Sequence, residues 1–277
     1  MKTSINTSFK SADEFELIHS ATDYALRRSE NGWVSGLFYH CEITSVFQPI
    51  FSINDNRTIG QAAYIRSKSN DDVELWPWQV FSLASKDDQL IELDRLCRAI
   101  HALNYYFNHD SKLDHLFVDV HPRLLESVKD DHGRAFENFL DLIGMKTSRV
   151  VIGIPAIVNR NWKLLQHVIA NYRSRGYQIA ANYSGTQSDW MVELGSLYPD
   201  IVRIEASDLI QHDAINALAD TIHGFGSKLL VRDIETTKQL ATVLHTDADY
   251  LQGNLLSEPV REITTIEVLP VSEAEVH

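Results

Sequence analysis

The chain has 277 residues, of which 44% are hydrophobic, and its formal net charge at pH 7 is −13. This length fits one large α/β domain, and the negative charge together with the lack of a basic patch argues against binding to nucleic acids. No apolar run approaches the roughly 18 residues that a membrane helix needs, so we expect no membrane segment and a cytoplasmic location.

The first predicted element is an amphipathic helix over Ala12–Glu30, in which apolar residues recur at three- and four-residue spacing. Such a helix needs a surface to cover, which the following domain or a second copy of the chain could supply. We therefore assign residues 1–40 to an N-terminal helical extension, and a homodimer is one assembly that this helix permits.

Eight short runs rich in Val, Ile, Leu and Tyr follow, and we predict that each is a β-strand. The runs are Thr44–Ile53, Ile59–Arg66, His115–Val120, Arg149–Ile154, Tyr177–Asn182, Asp200–Glu205, Lys228–Arg232 and Ala248–Gln252. Helical patterns such as Asp87–Phe107 and Asn161–Ser174 separate the later runs, which predicts a (β/α)8 barrel over residues 41–262. Only residues 54–57 join the first two runs, and because no crossover helix fits there, we expect this strand pair to be antiparallel. Residues 263–277 become acidic and are expected to form a flexible tail.

Catalytic groups of such barrels lie at the carboxyl ends of the strands. The charged residues at or next to these positions are Arg66, Asp119, Arg203, Glu205, Arg232, Asp233 and Glu235. A site for divalent cations needs several convergent carboxylates, so this mixture of acids and arginines favours ion pairing over a metal site. The two cysteines and twelve histidines also lack the spacing of metal ligands. The sequence therefore predicts neither a metal nor another cofactor.

Five segments of the predicted barrel carry short motifs in a fixed order. They are residues 47–50 (FQPI), 60–66 (GQAAYIR), 118–122 (VDVHP), 200–205 (DIVRIE) and 252–259 (QGNLLSEP). In order and spacing they resemble the YQPI, GxEALLR, VNLSP, DxLKID and QGxxxxxP motifs of the EAL family of cyclic-di-GMP phosphodiesterases. The resemblance implies an α/β fold, namely an EAL-type, TIM-like (β/α)8 barrel with an antiparallel first strand pair.

The positions at which that family holds its metal ions or catalytic groups mostly carry other residues in this chain. The altered positions are Ala62, Asp119, Gly153, Asn182, Tyr183, Arg203 and Arg232, whereas Glu235 matches a family glutamate. In the EAL enzymes two divalent cations activate the water that cleaves cyclic-di-GMP. Isolated carboxylates cannot hold two cations about 3.5–4 Å apart, so the resemblance implies a catalytically inactive member. We also expect Arg232 to lie over the vacated metal site and to neutralise Asp119 and Glu205.

The preferred interpretation is a non-catalytic regulatory protein that binds another protein in a cyclic-di-GMP-related signalling, motility or biofilm pathway. This interpretation follows from the resemblance and from the loss of the acids. Large aromatic side chains often anchor protein interfaces. The candidate contact residues of this kind are Trp76, Trp78 and Trp190.

The alternative interpretation is a metal-independent receptor for cyclic-di-GMP or a related anionic nucleotide. Its candidate ligand-binding residues are Gln48, Arg66, Arg203, Arg232 and Gln252. Binding of cyclic-di-GMP is nevertheless doubtful, because Arg66 could instead pair with Asp119 or Glu205, and both glutamines could bond to the backbone at the barrel rim. An enzyme with new chemistry at this site lacks a nucleophile and base to support it.

Overall fold

The computed structural model of the chain describes residues 12–108, 114–127, 131–155, 162–183, 197–210 and 215–266. The strands within these residues belong to one sheet. They are β1 (Leu26–Arg28), β2 (Val34–Phe38), β3 (Cys41–Ser52), β4 (Arg57–Ser69), β5 (Glu74–Leu75), β6 (His115–Asp119), β7 (Val150–Ile154), β8 (Gln178–Asn182), β9 (Ile201–Glu205), β10 (Lys228–Arg232) and β11 (Tyr250–Leu251).

Eight of these strands close into a barrel in the circular order β3, β4, β6, β7, β8, β9, β10 and β11. Strand β3 is antiparallel to both of its neighbours, β4 and β11. The other neighbouring pairs of the ring are parallel. The ladder between β3 and β4 runs from the pair Cys41–Ser69 to the pair Ser52–Arg57. The predicted α/β barrel with an antiparallel first strand pair is therefore confirmed.

Helices cover the outside of the barrel. Among the described residues they are α1 (Ala12–Ala21), α2 (Pro77–Leu83), α3 (Asp87–Asn108), α4 (Pro122–Ser127), α5 (Arg134–Leu142), α6 (Trp162–Ser174), α7 (Ala206–Ile210), α8 (Ile215–Gly224) and α9 (Thr237–Leu244). In α3 the leucines Leu90, Leu93 and Leu96 follow helical spacing and are buried, so this face packs against the strands. No helix in the described ranges combines the length and the apolar character needed to cross a membrane.

The hydrophobic core has an inner and an outer part. Side chains of alternate strand residues, among them Ile50, Phe117 and Leu230, fill the inside of the barrel. The outer part lies between the strands and the surrounding helices. The inside of the barrel is thus a packed core, and sites in such barrels form at the carboxyl ends of the strands.

The helix expected over Ala12–Glu30 is shorter than predicted. Helix α1 ends at Ala21, and Leu26–Arg28 forms strand β1, which pairs with β2 as a hairpin. The connecting turn contains Asn31 and Gly32, and Gly32 has a φ of 86°, a conformation that favours glycine. An Asn-Gly pair between two strands is a hairpin signal, and it outweighs the helical spacing of the apolar residues here.

The first residues of the expected C-terminal tail pack against the barrel. Gln61 Nε2 donates to the carbonyl oxygen of Thr264, and the N–H of Ile266 donates to Thr58 Oγ1. Ile266 is buried. Residues 263–266 of the expected tail are therefore packed against strand β4. The rest of that tail lies outside the described residues.

Candidate functional site

The carboxyl ends of the parallel strands meet at one end of the barrel, which we call the barrel mouth. Side chains of β6, β8, β9 and β10 come together there. The neighbours set by the strand register are Asp119 with Gly153, Asn182 with Arg203, and Glu205 with Arg232. Strand pairing therefore brings six of the predicted positions to one place.

Arg203 lies at the buried centre of the barrel mouth, and its side chain is only 6% exposed. Its Nη2 donates to Asp119 Oδ1 at 2.7 Å, and its Nε donates to Asn182 Oδ1 at 2.7 Å. Charge-assisted hydrogen bonds of this length are among the strong ones in proteins. A guanidinium does not lose its proton in a protein, so Arg203 puts a permanent positive charge inside the mouth.

Gly153 leaves the space that this ion pair occupies. A Cβ atom built on Gly153 would lie 1.8 Å from Asp119 Oδ1 and 2.4 Å from Arg203 Nη2. No side chain can be accommodated at these distances unless the ion pair moves. The Arg203–Asp119 ion pair can therefore take this position only because residue 153 is a glycine.

Arg232 binds the second carboxylate of the mouth. Its Nη2 donates to Glu205 Oε1 at 2.9 Å, and its Nε lies 3.4 Å from Asp233 Oδ2. Burial lowers the pKa of Arg232, but the nearby carboxylates of Asp233, Asp119 and Glu205 outweigh it and raise the pKa above its usual value. Arg232 thus lies at the mouth, but it forms an ion pair with Glu205 and not with Asp119, the other acid that we expected it to neutralise. It pairs with Glu205, whereas Arg203 holds Asp119.

A hydrogen-bond network fills the mouth beside these ion pairs. Gln252 Nε2 donates to Gln48 Oε1 at 2.8 Å and to Tyr64 Oη at 2.7 Å. Gln48 Nε2 donates in turn to Asn254 Oδ1 and to the carbonyl oxygen of Ser257. Burial raises the pKa of Tyr64 to about 12, so its phenol stays protonated at neutral pH. The two glutamines are buried and bound within the chain, where they fix the loop that follows β11.

The sequence profile of the EAL domain matches residues 32–259. This range is most of the chain and includes all eight barrel strands. The chain belongs to the EAL domain family.

Named relatives support the same fold. The Bacillus subtilis protein YkuI, an uncharacterized EAL-domain protein, is 26% identical over 249 residues, which cover 82% of this chain and 58% of YkuI. The chain therefore spans less than two thirds of that relative. The crystal structure of YkuI with cyclic-di-GMP and calcium has a TM-score of 0.68 to this chain at 24% identity, over 82% of this chain and 58% of YkuI.

Two further solved structures are similar. The complex of Klebsiella pneumoniae BlrP1 with manganese and cyclic-di-GMP has a TM-score of 0.67 at 17% identity, over 88% of this chain and 60% of BlrP1. The EAL domain of FimX from Pseudomonas aeruginosa, bound to cyclic-di-GMP, has a TM-score of 0.67 at 19% identity, over 79% of this chain and 91% of that domain. At these identities the likeness concerns the fold.

The described residues at this mouth do not fit the two-metal centre of EAL enzymes. Ala62, at the position of the glutamate that names the family, is buried in the apolar interior, and Tyr183 packs in an apolar cluster in place of a family aspartate. Asp119 and Glu205 are each bound by an arginine. Glu235 is exposed beyond the end of β10. Within the described ranges, no three His, Cys, Asp or Glu side chains form a group that could hold a metal ion.

Arg66 lies apart from the other predicted ligand residues. It is exposed, its Nη1 donates to the carbonyl oxygen of Ile65, and it forms no ion pair with any described residue. It lines an open groove of about 580 Å³ beside the hairpin of β3 and β4. The other charged residues of this groove are Glu42, Lys68, Glu74 and Arg261. The expected pairing of Arg66 with Asp119 or Glu205 is wrong, because arginines of β9 and β10 bind those carboxylates inside the mouth.

Tyr64 is a residue of the mouth that the sequence did not single out. It stands two residues after Ala62, and residues two apart in a strand point to the same face of the sheet. The resemblance of this strand to the EAL motif was therefore enough to identify Tyr64 as a residue of the mouth, because the strand face that carries the family glutamate also carries Tyr64.

Two of the three tryptophans proposed as contact residues are exposed. Trp76 is 70% exposed and Trp78 is 69% exposed, and both lie at the start of helix α2. Exposed indoles at this level are unusual for a side chain that normally packs in the core. Trp190 lies outside the described residues.

Proposed function

We propose that this chain is a non-hydrolytic EAL domain that regulates a cyclic-di-GMP-related pathway by binding a partner protein. The observation that carries the proposal is the pair of contacts in the mouth, Arg203 to Asp119 at 2.7 Å and Arg232 to Glu205 at 2.9 Å. Divalent cations need carboxylate oxygens that are free to coordinate. Here the carboxylates of Asp119 and Glu205 each face a guanidinium whose charge would repel the ion.

The environment of Gly153 supports the same proposal. The family has a glutamate in this segment, yet here even a Cβ atom would collide with the Arg203–Asp119 pair. The substitutions at residues 153 and 203 are thus linked, because Arg203 occupies the volume that a glutamate at residue 153 would need. Restoring one acid at a time would leave the positive charge in place.

Binding of the nucleotide without hydrolysis is the second candidate function. YkuI, BlrP1 and FimX were each solved with cyclic-di-GMP. The doubt about nucleotide binding that the sequence raised finds no support in these relatives. In this chain the exposed guanidinium of Arg66, which makes no ion pair with a described residue, suits recognition of a phosphate.

Calorimetric titration of the full chain with cyclic-di-GMP, with and without magnesium, tests both candidates. The proposal predicts no heat on adding magnesium alone and the same nucleotide isotherm in both buffers. A receptor role further predicts saturable binding that weakens about tenfold in Arg66→Ala and is unchanged in Arg27→Ala, an exposed arginine outside the groove. Nucleotide affinity that rises with magnesium would contradict the proposal.

A further inference from the structure

A surface groove runs between helices α3 and α5 on the outside of the barrel, and the segment after α1 lines part of it. Its volume is about 680 Å³. The apolar residues that line it are Ala21, Tyr24, Ile91, Ala135, Phe139 and Leu142. The ring centroids of Tyr24 and Phe139 lie 6.0 Å apart. We call this feature the α3–α5 groove.

The walls of the α3–α5 groove have helical periodicity. Ala135, Phe139 and Leu142 are spaced by four and three residues and form one stripe along α5. Ile91 and Arg95, four residues apart, lie on the facing stripe of α3. Two parallel stripes of this kind form a cleft in which the apolar face of a third helix can lie.

One exposed leucine lines the α3–α5 groove, and a second stands one helical turn from a lining residue. Leu142, in its wall, is 38% exposed. Leu17 of α1 is 61% exposed and lies one helical turn before Ala21, which lines the groove. Large aliphatic side chains at the edge of a cleft add apolar area for a docking partner.

The rim of the α3–α5 groove is acidic. Asp23, Asp88 and Glu92 line it, against the single cation Arg95. Asp23 and Glu92 make no hydrogen bond or ion pair through their side chains with any other described residue. Their charges are therefore available to a basic partner, and the net charge of −13 on the chain acts in the same direction.

We propose that the α3–α5 groove binds an amphipathic helix of a partner protein, with apolar residues facing the groove and Lys or Arg on both flanks. The inference rests on the regulatory role proposed above and adds a surface and a partner chemistry to it. A second copy of this chain is a poorer occupant, because it carries the same net charge of −13 and like charges repel.

Fluorescence anisotropy with two labelled peptides tests this inference on the full chain. Both peptides have about 14 residues, or four helical turns, with leucines at three- and four-residue spacing. One carries lysines on both flanks, and the other carries glutamates. The test variants are Leu142→Lys and Glu92→Lys. The matched controls are Leu83→Lys, a leucine that is 42% exposed on α2, and Asp220→Lys, an exposed acid on α8.

We expect the lysine peptide to bind and the glutamate peptide not to bind. Leu142→Lys and Glu92→Lys should each weaken binding about tenfold, while the controls leave it unchanged. Binding should also weaken as salt is raised from about 0.05 to about 0.5 M. Circular dichroism checks that each variant is folded, and the two test variants act at different helices, so one misfolded variant does not decide the result.

Three outcomes would overturn the inference. They are no binding of the lysine peptide, equal binding of both peptides, and binding that both test variants leave unchanged. Self-association in analytical ultracentrifugation that Leu142→Lys abolishes would assign the groove to a second copy instead. None of these results concerns hydrolysis or magnesium. The inference about the groove can therefore be refuted while the proposed non-hydrolytic role stands, and the non-hydrolytic role can be refuted while the inference about the groove stands.

Discussion

Replacing Asp119 with alanine should destabilise the fold more than replacing its partner Arg203 with methionine. The reason is the unequal burial of the two side chains, since that of Arg203 is 6% exposed and that of Asp119 is 52% exposed. Asp119→Ala leaves a buried guanidinium whose remaining hydrogen bond to a side chain, among the described residues, is the one to Asn182. Arg203→Met leaves a carboxylate that water already reaches.

The magnitudes follow from this difference in burial. Removing one partner of a buried ion pair costs about 3–5 kcal/mol in free energy of unfolding. Because water reaches Asp119 in the mouth, we place the cost of Asp119→Ala just below this range, at about 2–3 kcal/mol. Arg203→Met loses a pair with a half-exposed acid, worth about 1 kcal/mol or less, and it also removes the cost of burying the guanidinium.

Chemical denaturation at neutral pH measures both values. The double variant should resemble Arg203→Met, since neither leaves a charge buried without a partner. Asp220→Ala, an exposed acid on α8, is the control and should change the free energy of unfolding by no more than about 0.5 kcal/mol. If Arg203→Met proved more destabilising than Asp119→Ala, the buried charge would not be the source of the effect and the reasoning would be refuted.

Three further predictions concern space and protonation. Gly153→Glu should lower the melting temperature and fail to restore magnesium binding, because the new Cβ atom would lie 1.8 Å from Asp119 Oδ1. Gly224→Ala is the control, since a Cβ atom at that position would meet no atom within 4 Å. Burial lowers the pKa of His101 to about 3. The folded state therefore binds fewer protons at His101 than the unfolded chain does. This site should lower the free energy of unfolding by about 1.4 kcal/mol per pH unit as the pH drops from about 6.5 toward about 3, and His101→Phe should remove that contribution in urea titrations. Burial alone would raise the pKa of Asp249, but three hydrogen bonds outweigh it and lower the pKa. The stabilisation by the Asp249 carboxylate is present above about pH 4 and is lost below it. Asp249→Asn should therefore lower the free energy of unfolding by about 1–2 kcal/mol at pH 7 and by less near pH 3. Equal stability of the variant and the unmodified chain at pH 7 would count against this assignment.

The barrel itself could be predicted because strand and helix periodicities are local signals. The run Lys228–Arg232 was predicted with the bounds that the structure has, and helix α3 differs from its prediction by one residue. The prediction for the N-terminal region failed because the local signals there are ambiguous. Its apolar residues fit a helix as well as two short strands, and only the turn at Asn31 and Gly32 decides between them.

The sequence predicts which charged residues gather at the mouth, but not which of them form ion pairs with each other. The sequence places acids and arginines at the ends of strands, yet which arginine reaches which carboxylate depends on strand register and on free volume. Asp119 lies beside Gly153, and the missing side chain makes room for Arg203 to approach. Arg66, which the sequence offered as a partner for Asp119, lies instead in a groove beside the hairpin. Long flexible side chains cannot be assigned to partners before those neighbours are known.

Hydrolysis of cyclic-di-GMP tests the central claim most directly. The full chain is passed through a sizing column, and each fraction is incubated with the nucleotide and either magnesium or manganese before the nucleotides are separated. We expect intact cyclic-di-GMP in every fraction that contains the chain, because Arg203 and Arg232 bind the carboxylates of Asp119 and Glu205 in the mouth. Turnover that follows the protein peak across the fractions would contradict the account.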